Sequence, residues 1–245
     1  MRRTKTPAGS KAMKRHPFFV VFRALFRLVF PRHRIVCSAP VPSDRPCVFV
    51  CNHAGIYAPI VIATWLRRRF RPWVKSDTCF MKTARAQIER DLFKSETRAD
   101  RVFHKILSAL ITPVAVAIMR GVGAIPVYGD IRIVTTFRQS VRALMAGASL
   151  VIFPENEEPY SEYTKGFSTG FVHVGRKFCA ETGERLDFYP VYVSKKTRTV
   201  RIGDPIAYLP RLGFNAQRAR VAGALRDNIT RMARELEEGA ANRSA

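Results

Sequence analysis

The sequence is short of acid. Its 245 residues carry 42 Lys and Arg against 19 Asp and Glu, a formal net charge of +23, and no acidic residue precedes Asp44. That balance exceeds what solubility requires and implies an anionic partner, either a lipid surface or a nucleic acid. Long apolar runs are missing too: none reaches 18 residues, which argues against a membrane-spanning helix. Cysteine is sparse and odd in number, five residues at positions 37, 47, 51, 79 and 179. No disulfide framework follows from that, and a reducing compartment is expected. The N-terminus is not expected to be a cleavable signal peptide. There is no internal repeat and no dividing linker. At 47% hydrophobic and 25% charged, the chain has globular composition and enough length for a sizeable core. Collagen, coiled coil and outright disorder are excluded.

The basic charge is concentrated early. Residues 1–16 read as a disordered basic tail. Residues 17–31 begin PFFVVFRALFRLVF and close on Pro31. The only charges in that run, Arg23 and Arg27, lie four apart and so share one helical face. Such a helix suits the membrane interface, with its arginines at headgroup depth; the alternative is a helix docked on the domain's own core. A second apolar segment, ILSALITPVAVAIM at 106–119, is interrupted by Pro113. It reads as a re-entrant interfacial element or as a core helix kinked by proline. Arg67, Arg68, Arg69 and Arg71 follow a predicted helix and would cap its C-terminal dipole or touch lipid phosphates.

From about residue 35 to 238 short apolar strands alternate with helical stretches. Strands are expected at 47–51, 73–75, 124–127, 149–153, 188–193 and 197–202. Helices are expected at 59–69, 82–103 with a break, 131–145, 166–182 and 215–238, with a flexible tail over 239–245. This alternation predicts an α/β fold: a central, mostly parallel sheet flanked by helices, preceded by the amphipathic interface helix. In such sheets ligands bind at the carboxyl ends of the strands. His53 directly follows CVFVC-Asn52, and Glu155 directly follows LVIF-Pro154. A histidine and a glutamate at strand exits are candidates for acid–base chemistry, though either can be merely structural. Cys47, Cys51 and His53 have the parity to share a face, but no fourth ligand stands at zinc spacing, so no metal is expected.

The series CNHAGIYAP, GAIPV, VIFPE, TKGF, YPVYV and IGDPI, in this order between about residues 35 and 235, resembles the glycerophospholipid acyltransferases, the lysophosphatidic acid acyltransferase-like proteins. The resemblance implies an α/β domain on the cytoplasmic face of a membrane. It implies transfer of an acyl group from acyl-CoA or acyl-carrier protein, as co-substrate, to a lipid-like hydroxyl, without a further cofactor. By this resemblance His53 is the general base and Glu155 its catalytic companion. Asn52, Gly123, Ile125, Pro126, Pro154, Asn156, Glu157 and Lys165 fall on motif positions expected to contact substrate.

The departures from the family pattern are specific. Ala58 stands where an aspartate should orient the histidine, and Tyr128, Gly129 and Asp130 stand where an arginine is expected. Asn156-Glu157-Glu158 replaces Gly-Thr-Arg. Loss of a histidine-orienting carboxylate costs about 10⁴ in turnover in serine proteases, so either activity is weak or Glu155, Glu157 or Glu158 supplies one. Acidic residues in the third motif would repel a phosphate monoester. The acceptor is then uncharged or cationic, or its phosphate is held elsewhere, with Arg120, Arg132 and Lys165 as candidates. Two other classes compete: a non-catalytic lipid- or acyl-chain-binding homologue, motivated by Ala58 and the missing arginines, and a nucleic-acid-binding protein, which rests on charge alone and is not expected.

Overall fold

The computed structural model describes residues 17–92, 98–155 and 167–241. The basic tail therefore lies outside the described residues. In chain order the helices are α1 (Pro17–Val29), α2 (Tyr57–Trp65), α3 (Ser76–Cys79), α4 (Met81–Leu92), α5 (Arg98–Val122), α6 (Ile133–Met145), α7 (His173–Thr182) and α8 (Phe214–Ala241). The strands are β1 (Arg34–Cys37), β2 (Val48–Cys51), β3 (Phe70–Lys75), β4 (Ile125–Val127), β5 (Ser149–Ile152), β6 (Asp187–Ser194), β7 (Thr199–Ile202) and β8 (Ile206–Ala207). They form one sheet in the order β1-β7-β6-β2-β5-β3-β4, with β8 added to β6. Every pairing is parallel except β6 with β7 and β6 with β8. This is the mixed α/β architecture the alternating pattern implies.

The sheet is covered on both faces, which is why its central strands are apolar at every position rather than alternating. Val48 and Val50 of β2 join the core cluster that includes residues of α6, α7 and α8. Phe49 and Cys51, with the opposite parity, pack in the cluster that includes Ala58, Val61 and Ile62 of α2. All four positions of β2 and all four of β5 are buried.

Two expectations about helices change. Arg23 of α1 does not face outward, while Arg27 stays exposed. Arg23 is 6% exposed, and it donates from Nε to the Thr64 carbonyl at 2.8 Å and from its terminal nitrogen to the Leu66 carbonyl at 2.7 Å. Arg27 donates to the same Thr64 carbonyl at 3.3 Å and lies 5.6 Å from the Trp65 ring. The C-terminus of α2 is thus capped by cations from α1. The Arg67–Arg71 group instead bonds elsewhere: Arg68 to the carbonyls of Pro42 and Arg45 and to Ser149, and Arg71 to Gly123. With Arg23 turned inward, α1 presents Val20, Val21, Leu25, Leu28 and Val29 to the outside.

The second change concerns Pro113. α5 runs unbroken through it, although proline removes one helical hydrogen bond. Residues Phe103–Val122 of this helix are long and apolar enough to cross a membrane, which the count of uninterrupted apolar residues had argued against. Only 17% of the window is buried, so this is not a core helix. Phe103, Ile106, Leu110 and Val114 are exposed. α1 and α5 pack together, and at Gly121 an added Cβ would stand 3.2 Å from Phe19 Cβ, so the close approach requires glycine.

The capping role of Arg23 is testable. Arg23→Met keeps the apolar stem but removes the charged donor of the Leu66 carbonyl and leaves the Thr64 carbonyl with only the longer bond from Arg27. Denaturant unfolding should show a loss of about 2–3 kcal/mol, with little change in the slope. A loss below about 0.5 kcal/mol would mean that these bonds add nothing to stability.

Candidate active site

The parallel pairing of β2 with β5 places the two candidate residues side by side. Val48 pairs with Leu150, Phe49 with Val151 and Val50 with Ile152. Carried three residues past the last of these pairs, the same register sets His53 beside Glu155. The two do meet: the His53 main-chain N–H donates to Glu155 Oε2 at 3.1 Å. The carboxylate therefore fixes where the backbone of His53 leaves the sheet. It acts on the main chain, where support of the imidazole was the expectation.

Other contacts hold the same corner. The Phe153 ring meets the His53 ring edge-on, with centroids 5.4 Å apart. On the other flank Asn52 is clamped to β6: its Oδ1 accepts from the Val193 N–H at 2.7 Å and its Nδ2 donates to the Val193 carbonyl at 3.2 Å. Both ends of that amide are engaged by the backbone of β6, so Asn52 positions the strand exit. Directly after His53 the chain turns sharply, with Ala54 at φ 36° and Gly55 at φ 60°. A left-handed alanine costs roughly 1–2 kcal/mol, strain held beside the candidate base. Ala58 is fully buried in the apolar cluster beneath α2, so an alkyl group occupies the family aspartate's position.

Glu155 is half-buried. Burial raises its carboxyl pKa above 4.5, and the His53 N–H opposes that rise. Neighbouring Cys51 is fully buried, and burial followed by the charge of Glu155 pushes its thiol upward, so it is not a nucleophile. Glu155 also bridges to Phe167, and the Ser168 N–H donates to the Pro154 carbonyl at 2.8 Å. Buried Pro154 thus serves the backbone at the base of the segment that carries the third motif. Asn156, Glu157, Glu158 and Lys165 lie outside the described residues.

The second-motif positions sit elsewhere. Through the pairings Trp73–Ile125 and Arg71–Leu150, Gly123 stands level with Val48, at the start of the strands and away from His53. Gly123 has φ +68°, and its carbonyl accepts from Arg71 Nε at 2.5 Å. Ile125 is completely buried, and the Pro126 carbonyl accepts from Thr136 at 2.7 Å. These residues lie in the sheet edge and the core, with Gly123 at the end of the strands remote from His53. Arg120, one turn before Gly123, shares that remote end. By the same register Tyr128 comes level with His53. Beyond it Arg132 stacks over Tyr128 at 4.6 Å and is paired with Asp130 at 2.7 Å.

The sequence pattern gave no warning of a third group at this end of the sheet. Buried His33 bridges Pro31 and Tyr57: its Nδ1–H donates to the Pro31 carbonyl at 2.9 Å, and the Tyr57 hydroxyl donates to Nε2 at 2.7 Å. Lys195, in the turn after β6, lies 5.7 Å from the Tyr57 ring.

Comparison with solved structures finds the same fold in an acyltransferase. The crystal structure of the 1-acyl-sn-glycerophosphate (LPA) acyltransferase PlsC from Thermotoga maritima aligns over 90% of this chain and 78% of that one, with a TM-score of 0.52 and 13% identity. The likeness shows a shared fold. No family model and no curated protein matches the sequence.

The buried carboxyl makes a prediction with a definite sign. Because its folded pKa lies above the unfolded value, Glu155 contributes stability that is full below pH 4.5 and is lost as pH rises through the folded value. Glu155→Gln keeps an acceptor for the His53 N–H and removes the charge. It should therefore be at least as stable as wild type at pH 8, and should lack the decline that wild type shows just above pH 4.5. Thermal melts across this range check it. A variant less stable than wild type at pH 8 would contradict the account.

Proposed function

We propose that this protein is a membrane-associated acyltransferase that moves a fatty acyl group from acyl-CoA or acyl-carrier protein to the hydroxyl of a glycerolipid-like acceptor. The observation that carries the proposal is the placement of His53 and Glu155, joined at 3.1 Å, on adjacent parallel strand exits. His53 follows a fixed strand end, packs edge-on against Phe153 and is only partly buried, as a base must be to meet a substrate.

An alcohol is too weak an acid to attack a thioester unaided. In the proposed reaction His53 takes the hydroxyl proton as the oxygen adds to the thioester carbonyl. The tetrahedral intermediate expels the thiolate, which recovers the proton from the imidazolium. An ester and a free thiol result. Glu155 keeps the His53 backbone in place through this cycle, and Asn52 does so from the β6 side.

The outward apolar faces of α1 and α5 support the membrane part of the reading. Leu28 is 84% exposed and Leu110 68%, in a chain of net charge +23. Large apolar side chains beside basic flanks suit the boundary between headgroups and acyl chains. A position on the cytoplasmic face of a membrane agrees with the reducing environment implied by five free cysteines.

Two measurements test this. Purified protein incubated with labelled acyl-CoA and a lipid extract should yield labelled lipid, detected by mass spectrometry. No product across acyl-CoA and acyl-carrier protein donors and a broad acceptor panel would favour the binding-only homologue. For the membrane, sedimentation with anionic vesicles should be weakened but not abolished by high salt, since salt screens charge and leaves apolar burial intact. Leu25→Ser/Leu28→Ser should lower the vesicle partition constant about 100-fold or more, because removing two leucines from the lipid forfeits about 3 kcal/mol or more. Unchanged binding of that double variant would remove α1 from the interface. These point changes are preferable to deleting residues 1–31, which would also remove the Arg23 cap.

A further inference from the structure

The charge reversal in the third motif leaves open where a phosphate-bearing substrate would be held. Of the cations the sequence offers, Arg120 lies at the wrong end of the sheet, and Arg132 is shared with Asp130. The structure brings a different set to the site. β6 is parallel to β2 and pairs Val191 with Cys51, so Val193 stands level with His53. The turn that follows reads Lys195-Lys196-Thr197-Arg198, three cations in four residues, all three exposed.

This turn is built rather than loose. The Thr197 N–H donates to Ser194 Oγ at 3.1 Å, Arg198 takes φ 50°, and its carbonyl accepts from the Arg34 N–H at 2.9 Å. The Asn52 clamp ties its base to the residue before His53. Lys195 is held over the Tyr57 ring, and Tyr57 is locked in turn by His33. Burial, with the charge of Arg198 in a lesser part, lowers the His33 pKa, so that imidazole stays neutral and accepts from Tyr57. The cations have no counter-charge: among the described residues Lys195, Lys196 and Arg198 form no ion pair. Glu237, the carboxylate that reaches the base of the turn, accepts instead from the hydroxyls of Ser194 at 3.1 Å and Tyr192 at 3.4 Å. The Thr197 hydroxyl is buried without a hydrogen-bond partner. Clustered cations left without acidic partners beside a reaction centre attract anions and hold them best where backbone and ring contacts fix the side chains.

We propose that the β6–β7 turn, through Lys195, Lys196 and Arg198, is the phosphate-binding arm of the site, holding a phosphate group of a substrate whose reacting atoms lie at His53. It takes over the task that the family pattern gives to third-motif arginine, from the opposite flank of the histidine. The inference rests on the acyl-transfer reading for what the phosphate belongs to, but not for the binding itself. Two sources share this chemistry. In a glycerophosphate acceptor the phosphate lies a few bonds from the attacked hydroxyl. In coenzyme A the phosphates lie a pantetheine arm away from the thioester.

Titration calorimetry at low salt on the full chain separates these sources without turnover, using sn-glycerol 3-phosphate and coenzyme A as probes. Wild type should bind at least one, with an affinity that falls as salt rises. Lys195→Gln/Lys196→Gln/Arg198→Gln should weaken that probe about tenfold or more, and Lys195→Arg should retain it. Loss for glycerol 3-phosphate assigns the arm to the acceptor, and loss for coenzyme A assigns it to the donor. A Lys195→Gln/Lys196→Gln variant, which leaves the strained Arg198 backbone alone, should show a partial loss in the same direction. Equal binding of both probes by wild type and the triple variant would overturn the inference, as would no binding by wild type at millimolar probe. Binding that depends on the turn in a protein with no transferase activity would sink the acyl-transfer reading and leave the phosphate arm standing. Transfer that proceeds unchanged in the triple variant, with binding also unchanged, would do the reverse.

Discussion

The parallel register of β2 against β5 is the constraint on which the site depends. Pairing Val50 with Ile152 makes residues 53 and 155 neighbours just past the strand ends. A slip of one residue would turn each apolar side chain of β2 to the other face, and both faces are buried. Core packing on the two sides of the sheet thus fixes the chemistry at its edge. The hydrogen bond from the His53 main chain to Glu155 is a consequence of that register; burial of the carboxyl there raises its pKa, and the hydrogen bond partly offsets the rise. A buried carboxylate retained at a strand exit is a feature of function more than of stability.

The second constraint is the inversion of α1. A helix with one cationic stripe and otherwise apolar sides can dock in either sense. Here the buried C-terminal carbonyls of α2 decide, because they need donors and the α1 arginines supply them. Phe19 and Phe22 pack inward with Arg23, and Val20, Val21, Leu25, Leu28 and Val29 are left outward, on a helix that packs against α5. The same cap that holds α1 on the domain therefore leaves an apolar surface exposed.

The fold was legible in the sequence because its central strands are short apolar runs bounded by proline, glycine or polar residues. VFVC and SLVI fall within one residue of their expected ends. β1 and β8 were not legible, since RIVC and IA are short edge strands with few buried positions. α5 was hidden by Pro113, which a local rule treats as a break and which tertiary contacts tolerate. At the site, His53 and Glu155 could be found from their positions after strands. The placement of Gly123, Ile125 and Pro126 was not legible because a motif gives sequence order, and only the register shows Gly123 level with the start of β2 and Ile125 and Pro126 within β4. The cationic turn escaped notice because Thr197 and Arg198 read as the start of the strand expected at 197–202, which begins only at Thr199. Only the pairing of β6 with β2 brings it to the histidine.

The central claim is that His53 is the base at this pair of strand exits. It is tested most directly by the single-turnover rate of acyl transfer from labelled acyl-CoA, in wild type and in His53→Ala, with folding checked by circular dichroism. The account predicts that His53→Ala loses transfer by about 10³-fold or more while keeping its fold. A folded His53→Ala protein that transfers acyl groups at the wild-type rate would contradict it.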